Sequence, residues 1–511
     1  MTNKHSVFLK AAIFATGVSG LVAEFIFSTL ASYFIGDTIV QWTLVLSIML
    51  FSMGVGSRLS ARVNKNLLFV FLSVEIALSL MICLAPLIIY GLAGQTQYIH
   101  LLVYGCSAAV GCAIGFEIPL VTRLNEPYEK LSRNISSIMS YDYIGSLIGG
   151  LAFAFFALPV LGIKNAAFVF GAFNLLAAFA VVFVFWKQIK AIKTQFFGVV
   201  AAVIVLLSVG FIQSDNIKLY GEQSRFKDKI VHVVESKYQK LVVTTWLNEH
   251  WLYINGNLQM TTLDEYLYHE PMIHPVVALV KHPKQVLVIG GGDGFNVKEL
   301  LKYPDVESIT LVDLDPEMTN LGAKYPPFVK ANGSSLSNEK VQVINADGFT
   351  FLQKSEQLYD LIVVDLPDAK GVDLNKLYTQ EFYQMVRLHL RPNGAMITQS
   401  GNPYLATKAF ECIKKTMQSS GFNVLPLHNH VLSMGEWSWV IGTKKGSVQQ
   451  LKKYLKKQDF NSIRTRWLNQ EAMHMMLHFG KPTSDTSRIE INTLNNPVLY
   501  QYQLNGDWNN F

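Results

Sequence analysis

Val286-Leu287-Val288-Ile289-Gly290-Gly291-Gly292-Asp293-Gly294 is the stretch that decides the fold. A continuous apolar run of this length is typical of a strand buried on both faces of a parallel sheet. It enters a glycine-rich turn, and a helix-like stretch from Val297 to Leu301 follows. The pattern repeats downstream. Ser308–Val312 ends in Asp313-Leu314-Asp315, Val341–Ile344 ends in Asn345-Ala346-Asp347-Gly348, and Leu361–Val364 ends in Asp365-Leu366-Pro367-Asp368. Strands alternating with helices predict a doubly wound parallel α/β sheet. Such sheets take ligands at the carboxyl ends of their strands, and every one of these acidic clusters falls there.

The glycine turn lets backbone approach a ligand closely. A phosphate-binding loop would end in Lys-Ser or Lys-Thr, whereas Phe295-Asn296 follow here. Asp293 inside the turn repels a pyrophosphate and attracts a cation, which points to a sulfonium or amine ligand of the S-adenosyl class rather than a dinucleotide. Asp313 is placed to accept hydrogen bonds from ribose hydroxyls, and Asp347 stands where an adenine amino group can be read. Upstream, 229–246 and 250–260 read as strands, with Asn255-Gly256 as a hairpin turn. Asp264-Glu265 then precede Tyr268-His269-Glu270. Carboxylates beside aromatics suit an amine, which arrives as a cation and must lose a proton before it can attack carbon. For any single Asp after a strand, the competing explanation is a helix N-cap.

The first part of the chain differs in kind. Residues 1–213 hold 12 of the 43 Lys and Arg and 7 of the 37 Asp and Glu. They form about seven apolar runs, near 10–33, 39–57, 67–93, 98–122, 140–162, 165–186 and 196–213. Each is long enough for a membrane helix, so a polytopic helical membrane domain within a lipid bilayer is expected. The first run is too long for a cleaved leader, and Gly145-Ser146 and Gly149-Gly150 suit close helix packing. Lys4, Lys10, Arg58, Arg62, Lys65, Arg123, Lys130, Arg133, Lys187, Lys190 and Lys193 fall in alternate loops, opposed only by Lys164. A multi-pass cell-membrane protein with a cytoplasmic N-terminus is the expectation. An odd number of crossings puts the polar part on the opposite side and an even number on the same side. Glu24, Glu75, Glu117 and Asp142 sit in or beside the runs, as a cation or proton site or as neutral groups between helices. The net charge of +6 belongs mostly to this part, so nucleic-acid binding is not expected. Cys83, Cys106, Cys112 and Cys412 form no CxxC pair, so neither a metal site nor a disulfide framework is indicated.

The stretch from about 250 to 445 resembles spermidine synthase, a polyamine aminopropyltransferase. The resemblance rests on Gly256–Gln259, Asp264–Glu270, Gly290–Gly294, Asp313–Asp315, Asp347-Gly348, Asp365–Asp368, Leu377-Tyr378 and Phe382-Tyr383. The whole chain resembles the membrane-fused branch of that family. It implies a Rossmann-like S-adenosyl-binding domain over 263–445. The other parts are then a membrane domain over 1–213, a small β unit over 214–262 and an unassigned extension over 446–511. Decarboxylated S-adenosylmethionine would be a co-substrate, with no permanently bound cofactor and no metal. Gln259, His269, Gly290, Gly292, Asp293, Asp313, Asp347 and Gly348 would bind it. Asp365 would take the proton from a putrescine-like acceptor, oriented by Tyr268 and Asp368, with Glu436 and Trp437 at the far end of the acceptor pocket. Self-association is an open expectation. The sequence departs from the family pattern in Asp313, where Glu is usual, and in Ala369 after Asp368. The other functions weighed are an S-adenosylmethionine methyltransferase, whose cofactor carboxylate Asp293 would repel, and a membrane protein that binds or transports polyamines.

Overall fold

In the computed structural model, residues 4–36, 38–96, 98–189, 193–481, 486 and 488–506 are described. Lys190 therefore lies outside the described residues. The chain divides into two compact units, Met1–Asp228 and Lys229–Phe511.

The first unit is helical: α1 (Lys4–Ile35), α2 (Thr38–Ser60), α3 (Leu67–Leu92), α4 (Ile99–Asn125), α5 (Leu131–Ala152), α6 (Gly162–Val184) and α7 (Lys193–Gln223). Among the described residues, six helical stretches are long and apolar enough to cross a membrane. The runs near 140–162 and 165–186 fall in one of them, Leu131–Val184, of 54 residues. They merge because a π-helical segment, Phe153–Leu161, joins α5 to α6, and only Gly162, at φ 70°, breaks the path. Small residues set the packing. A Cβ on Gly56 would lie 1.9 Å from the Cys112 carbonyl oxygen, and one on Gly149 would lie 2.4 Å from that of Val18. These helices touch backbone to backbone, as small residues allow. The polar boundary expected near residue 213 is crossed by α7, since Ser214–Gln223 continue the helix.

The second unit starts with an antiparallel sheet of β1 (Lys229–Glu235), β2 (Lys240–Trp246), β3 (Glu249–Ile254) and β4 (Asn257–Thr261). The stretch 229–246 is two strands rather than one, because the Ser236 hydroxyl accepts from the Tyr238 and Gln239 N–H groups and reverses the chain. Asn255 and Gly256, at φ 49° and 82°, form the expected hairpin turn. Next come α8 (Tyr266–Val280), β5 (Gln285–Gly290), α9 (Phe295–Leu300), β6 (Ser308–Asp313), β7 (Val341–Asn345), β8 (Tyr359–Asp365), β9 (Leu390–Gln399), β10 (Asn423–Val431) and β11 (Gly435–Thr443).

The seven-stranded sheet runs β10-β11-β9-β8-β5-β6-β7. β5 pairs in parallel with β6 on one side and β8 on the other, so strand order reverses at β5. Its central strands are buried on both faces: Val286, Val288, Leu361 and Val363 face one core, and Leu287, Ile289, Ile362 and Val364 the other. That double burial is why they read as unbroken apolar runs. The C-terminal extension is part of this unit. Glu270 on α8 accepts from the N–H groups of Arg466, Trp467 and Leu468 at 2.6, 3.0 and 2.9 Å.

Candidate active site

The crevice opens where strand order reverses, at the carboxyl ends of β5, β6 and β8. Gly290 pairs with Asp365, and the Gly291 N–H donates to the Asp365 carbonyl at 3.0 Å. A Cβ on Gly290 would sit 1.9 Å from that carbonyl oxygen, so only glycine allows the glycine turn to lie against the end of β8. On Gly292 a Cβ would sit 2.6 Å from Asp313 Oδ2.

Asp365 is gripped on both oxygens. The Tyr268 hydroxyl donates to Oδ1 at 2.7 Å and Asn296 Nδ2 to Oδ2 at 2.5 Å. Tyr268 comes from α8 and Asn296 from the first turn of α9. Burial pushes the Asp365 carboxyl above the usual range, although the His269 charge and both hydrogen bonds pull the other way. Asp293 Oδ1 accepts from the Phe295 N–H at 3.0 Å, just before the start of α9. Burial raises it too, against the opposing pull of His269. His269 Nδ1 donates to the Glu265 carbonyl at 2.7 Å, and the ring stacks on Phe295 at 5.3 Å. Burial pulls the imidazolium down, but Glu265, Asp293 and Asp365 outweigh it and leave its pKa above the ordinary value.

Asp313 Oδ2 accepts from the Gly292 N–H at 3.1 Å and Oδ1 from the Asp315 N–H at 2.9 Å. Burial pushes it up to about 6. Asp368 follows in the loop after β8. Its Oδ1 is buried with no hydrogen-bond partner, and burial raises the carboxyl against Lys370 and Gln399. The Tyr378 hydroxyl lies 3.3 and 3.2 Å from the Leu366 and Pro367 carbonyls and accepts from Gln399 Nε2 at 2.7 Å, pinning that loop. Four carboxyls are thus raised by desolvation in one crevice. A cation bound there lowers all of them together.

Other expected site residues are placed differently. Asp347 spends Oδ1 on the Thr350 N–H and hydroxyl, at 2.9 and 2.8 Å, and Oδ2 on Lys376 at 2.6 Å. The helix-cap role therefore applies to it. Burial alone would raise it, and Lys376 brings it below the usual range. Gly348 is a close approach, since a Cβ would meet Ile289 Cγ2 at 2.6 Å. Gln259 stands on β4, and its amide turns back to the Asn257 carbonyl at 3.5 Å. Trp437 tilts over Tyr268 at 6.4 Å, and Trp439 meets its edge at 5.3 Å. Glu436 on β11 is hydrogen-bonded to His428 Nδ1 and lies 3.5 Å from His430 Nδ1. These histidines hold the carboxyl below its usual range despite burial.

The acids around α8 have partners within the protein. Asp264 accepts from the Ser433 N–H at 2.7 Å, Glu265 pairs with Lys298 at 2.7 Å, and Glu270 anchors the extension. Sequence reasoning missed Asn296. An Asn in the first turn of a helix reads as a surface or capping residue, and its partner is 69 positions away.

Residues 265–454 match the spermine/spermidine synthase domain. A polyamine aminopropyltransferase of Leptospira interrogans is 38% identical over 96% of this chain and 96% of its own length. Polyamine aminopropyltransferase 2 of Aquifex aeolicus is 36% identical over 97% of this chain and 98% of its own. A polyamine aminopropyltransferase of Oceanobacillus iheyensis is 35% identical over 95% and 94%.

Proposed function

The chain belongs to the polyamine aminopropyltransferases of the spermine/spermidine synthase family, and from that premise we propose how its crevice carries out the transfer. The enzyme moves the aminopropyl group of decarboxylated S-adenosylmethionine onto an amine and releases methylthioadenosine. In our reading Asp365 is the base and putrescine the acceptor. The observation that carries this is the double grip on Asp365. Tyr268 and Asn296 fix both oxygens, so a remaining lone pair has one orientation, and desolvation makes the carboxylate a better proton acceptor than one in water.

The acceptor's reacting ammonium gives one proton to Asp365. Its freed lone pair forms a C–N bond to the aminopropyl carbon next to sulfur. The C–S bond breaks with its electron pair moving to sulfur, and the sulfonium becomes a neutral thioether. The new secondary amine retains the positive charge. Asp368 Oδ1, buried and unpartnered, receives an acceptor N–H and sets the attack line, which is where positioning contributes most. Asp293, with His269 behind it, takes the donor's terminal ammonium. Asp313 takes the ribose hydroxyls, held in place by the close approach of Gly292. Trp437 walls the acceptor side.

The six apolar stretches support placing the first unit in a cell membrane, with the N-terminus on the cytoplasmic side by the Lys and Arg asymmetry. The test of the reaction is to incubate the full-length protein with decarboxylated S-adenosylmethionine and putrescine. Methylthioadenosine and spermidine are the expected products. S-adenosylmethionine in place of the donor should give neither, and methylated amine from that control would replace this reading.

A further inference from the structure

The helical unit holds a polar cluster that the transfer reaction does not use. Glu75 on α3 and Glu117 on α4 are both 0% exposed, and Asp142 on α5 is 7% exposed. Glu75 and Glu117 are near neighbours, and so are Glu117 and Asp142. The Thr16 hydroxyl on α1 reaches Glu75 Oε1 at 3.5 Å. One turn on, the Ser19 hydroxyl donates to Asn174 Oδ1 on α6 at 2.7 Å. A Cβ on Gly17, between them, would lie 3.1 Å from Asp142 Oδ1. Polar groups from five helices therefore meet along one stretch of α1. Glu24, half-buried on α1, is outside this group.

Several of these atoms lack any partner. Both carboxylate oxygens of Glu117, Oε2 of Glu75, the hydroxyl of Ser79 and Nδ2 of Asn174 are buried and make no hydrogen bond. Ser79 and Asn174 are themselves 0% exposed. An unpaired buried polar group costs about 1–3 kcal/mol, and a charge more. Five such atoms on α3, α4 and α6 call for partners that the described side chains do not supply. One proton shared between Glu75 and Glu117 would serve that pair alone and would leave the Ser79 hydroxyl and Asn174 Nδ2 without partners. Most of the unpartnered atoms are acceptors, so a fitting guest brings donors and positive charge. A primary ammonium has three donors and no acceptor. Among the described residues, no three His, Cys, Asp or Glu side chains converge to hold a metal ion. Three acids, one each from α3, α4 and α5, along one stretch of α1 suit a cation that carries several charges.

We propose that Glu75, Glu117 and Asp142, with Ser79 and Asn174, form a second binding site, inside the helical unit, for an aliphatic polyamine cation. The class of amine rests on the reaction proposed above; the existence of a site does not. The site gives the helical unit its own ligand, separate from the crevice of the α/β unit.

The test counts bound spermidine on full-length protein in zwitterionic phosphatidylcholine nanodiscs, which do not bind polyamines electrostatically. Glu117→Gln and Glu75→Gln should each lose one bound equivalent per chain relative to wild type. A folded variant that keeps the wild-type count and affinity overturns the proposal. Should both variants fail to fold, the wild-type protein is treated with dicyclohexylcarbodiimide, and modification of Glu75 and Glu117 is followed by mass spectrometry. Spermidine should slow that modification. Absence of reaction, reaction unslowed by spermidine, or protection by sodium chloride alone overturns the assignment. Methylthioadenosine formation is measured on the same samples. A failed catalytic reading then appears as missing product with the spermidine count intact.

Discussion

The Tyr268 hydroxyl donates to Asp365 Oδ1 at 2.7 Å, joining the third residue of α8 to the last residue of β8 across 97 positions of chain. The bond favours the charged carboxylate and opposes the desolvation that raises it. Tyr268→Phe should therefore move the acid limb of the kcat profile to higher pH. It should also lower kcat by roughly ten- to a hundredfold, the rate equivalent of one charge-assisted hydrogen bond. A pH–rate series on the purified variant checks both, and an acid limb that moves to lower pH would contradict the assignment.

Donor binding should depend on pH through Asp313, whose carboxyl titrates at about 6. This acid has a raised folded pKa, so the free enzyme gains stability as pH falls through about 6 and loses it as pH rises. Binding the ribose hydroxyls runs the opposite way, because it needs the carboxylate. The donor KM should rise below pH 6 while the melting temperature of the free protein does not fall with it. Asp313→Asn should flatten the pH dependence of KM. Steady-state kinetics beside thermal melts, from pH 5 to pH 8, separate the two.

Asp368 and Glu436 should part company. Asp368 offers an unpartnered oxygen, whereas Glu436 is already held by His428 and His430. Asp368→Asn should raise the acceptor KM by roughly ten- to a hundredfold, as expected for a hydrogen bond to a charged group. Glu436→Gln should change it far less and act mainly on melting temperature. Acceptor titrations at saturating donor decide between them, and a larger KM effect at Glu436 would reverse the assignment.

Gly292→Ala should damage donor binding selectively. Its Cβ would come within 2.6 Å of Asp313 Oδ2 and displace a carboxylate that now accepts the Gly292 N–H. The donor KM should rise with little change in the acceptor KM, and equal effects on both would show that the glycine serves the fold alone.

Much of this was legible in the sequence where burial leaves a simple pattern. β5, β6, β7 and β8 show as apolar runs because the parallel strands are covered on both faces, and the acids after them mark the strand ends. The Asn255-Gly256 turn is visible because its positive φ angles restrict the residue types. What stayed hidden depends on distant partners. Nothing local in Glu270 says that it holds the N–H groups of Arg466, Trp467 and Leu468, so its carboxylate counted toward the amine site. Asp347 has the N-cap signature, but Lys376 as its second partner needed the folded chain. Glu436 could have been found. Counting back across the β10–β11 turn pairs it directly with His430, and a carboxylate facing a histidine is poorly free for a ligand. The π-helical join between α5 and α6 has no sequence signal beyond Pro159, so two apolar runs became one stretch.

The proton transfer itself is tested by single-turnover formation of methylthioadenosine in Asp365→Asn, with bound donor measured on the same protein. The account predicts donor affinity close to wild type and a rate lower by roughly 10²- to 10⁴-fold, the usual contribution of a general base. A rate near that of the wild-type enzyme would mean that the acceptor loses its proton elsewhere, and the role given to Asp365 would be wrong.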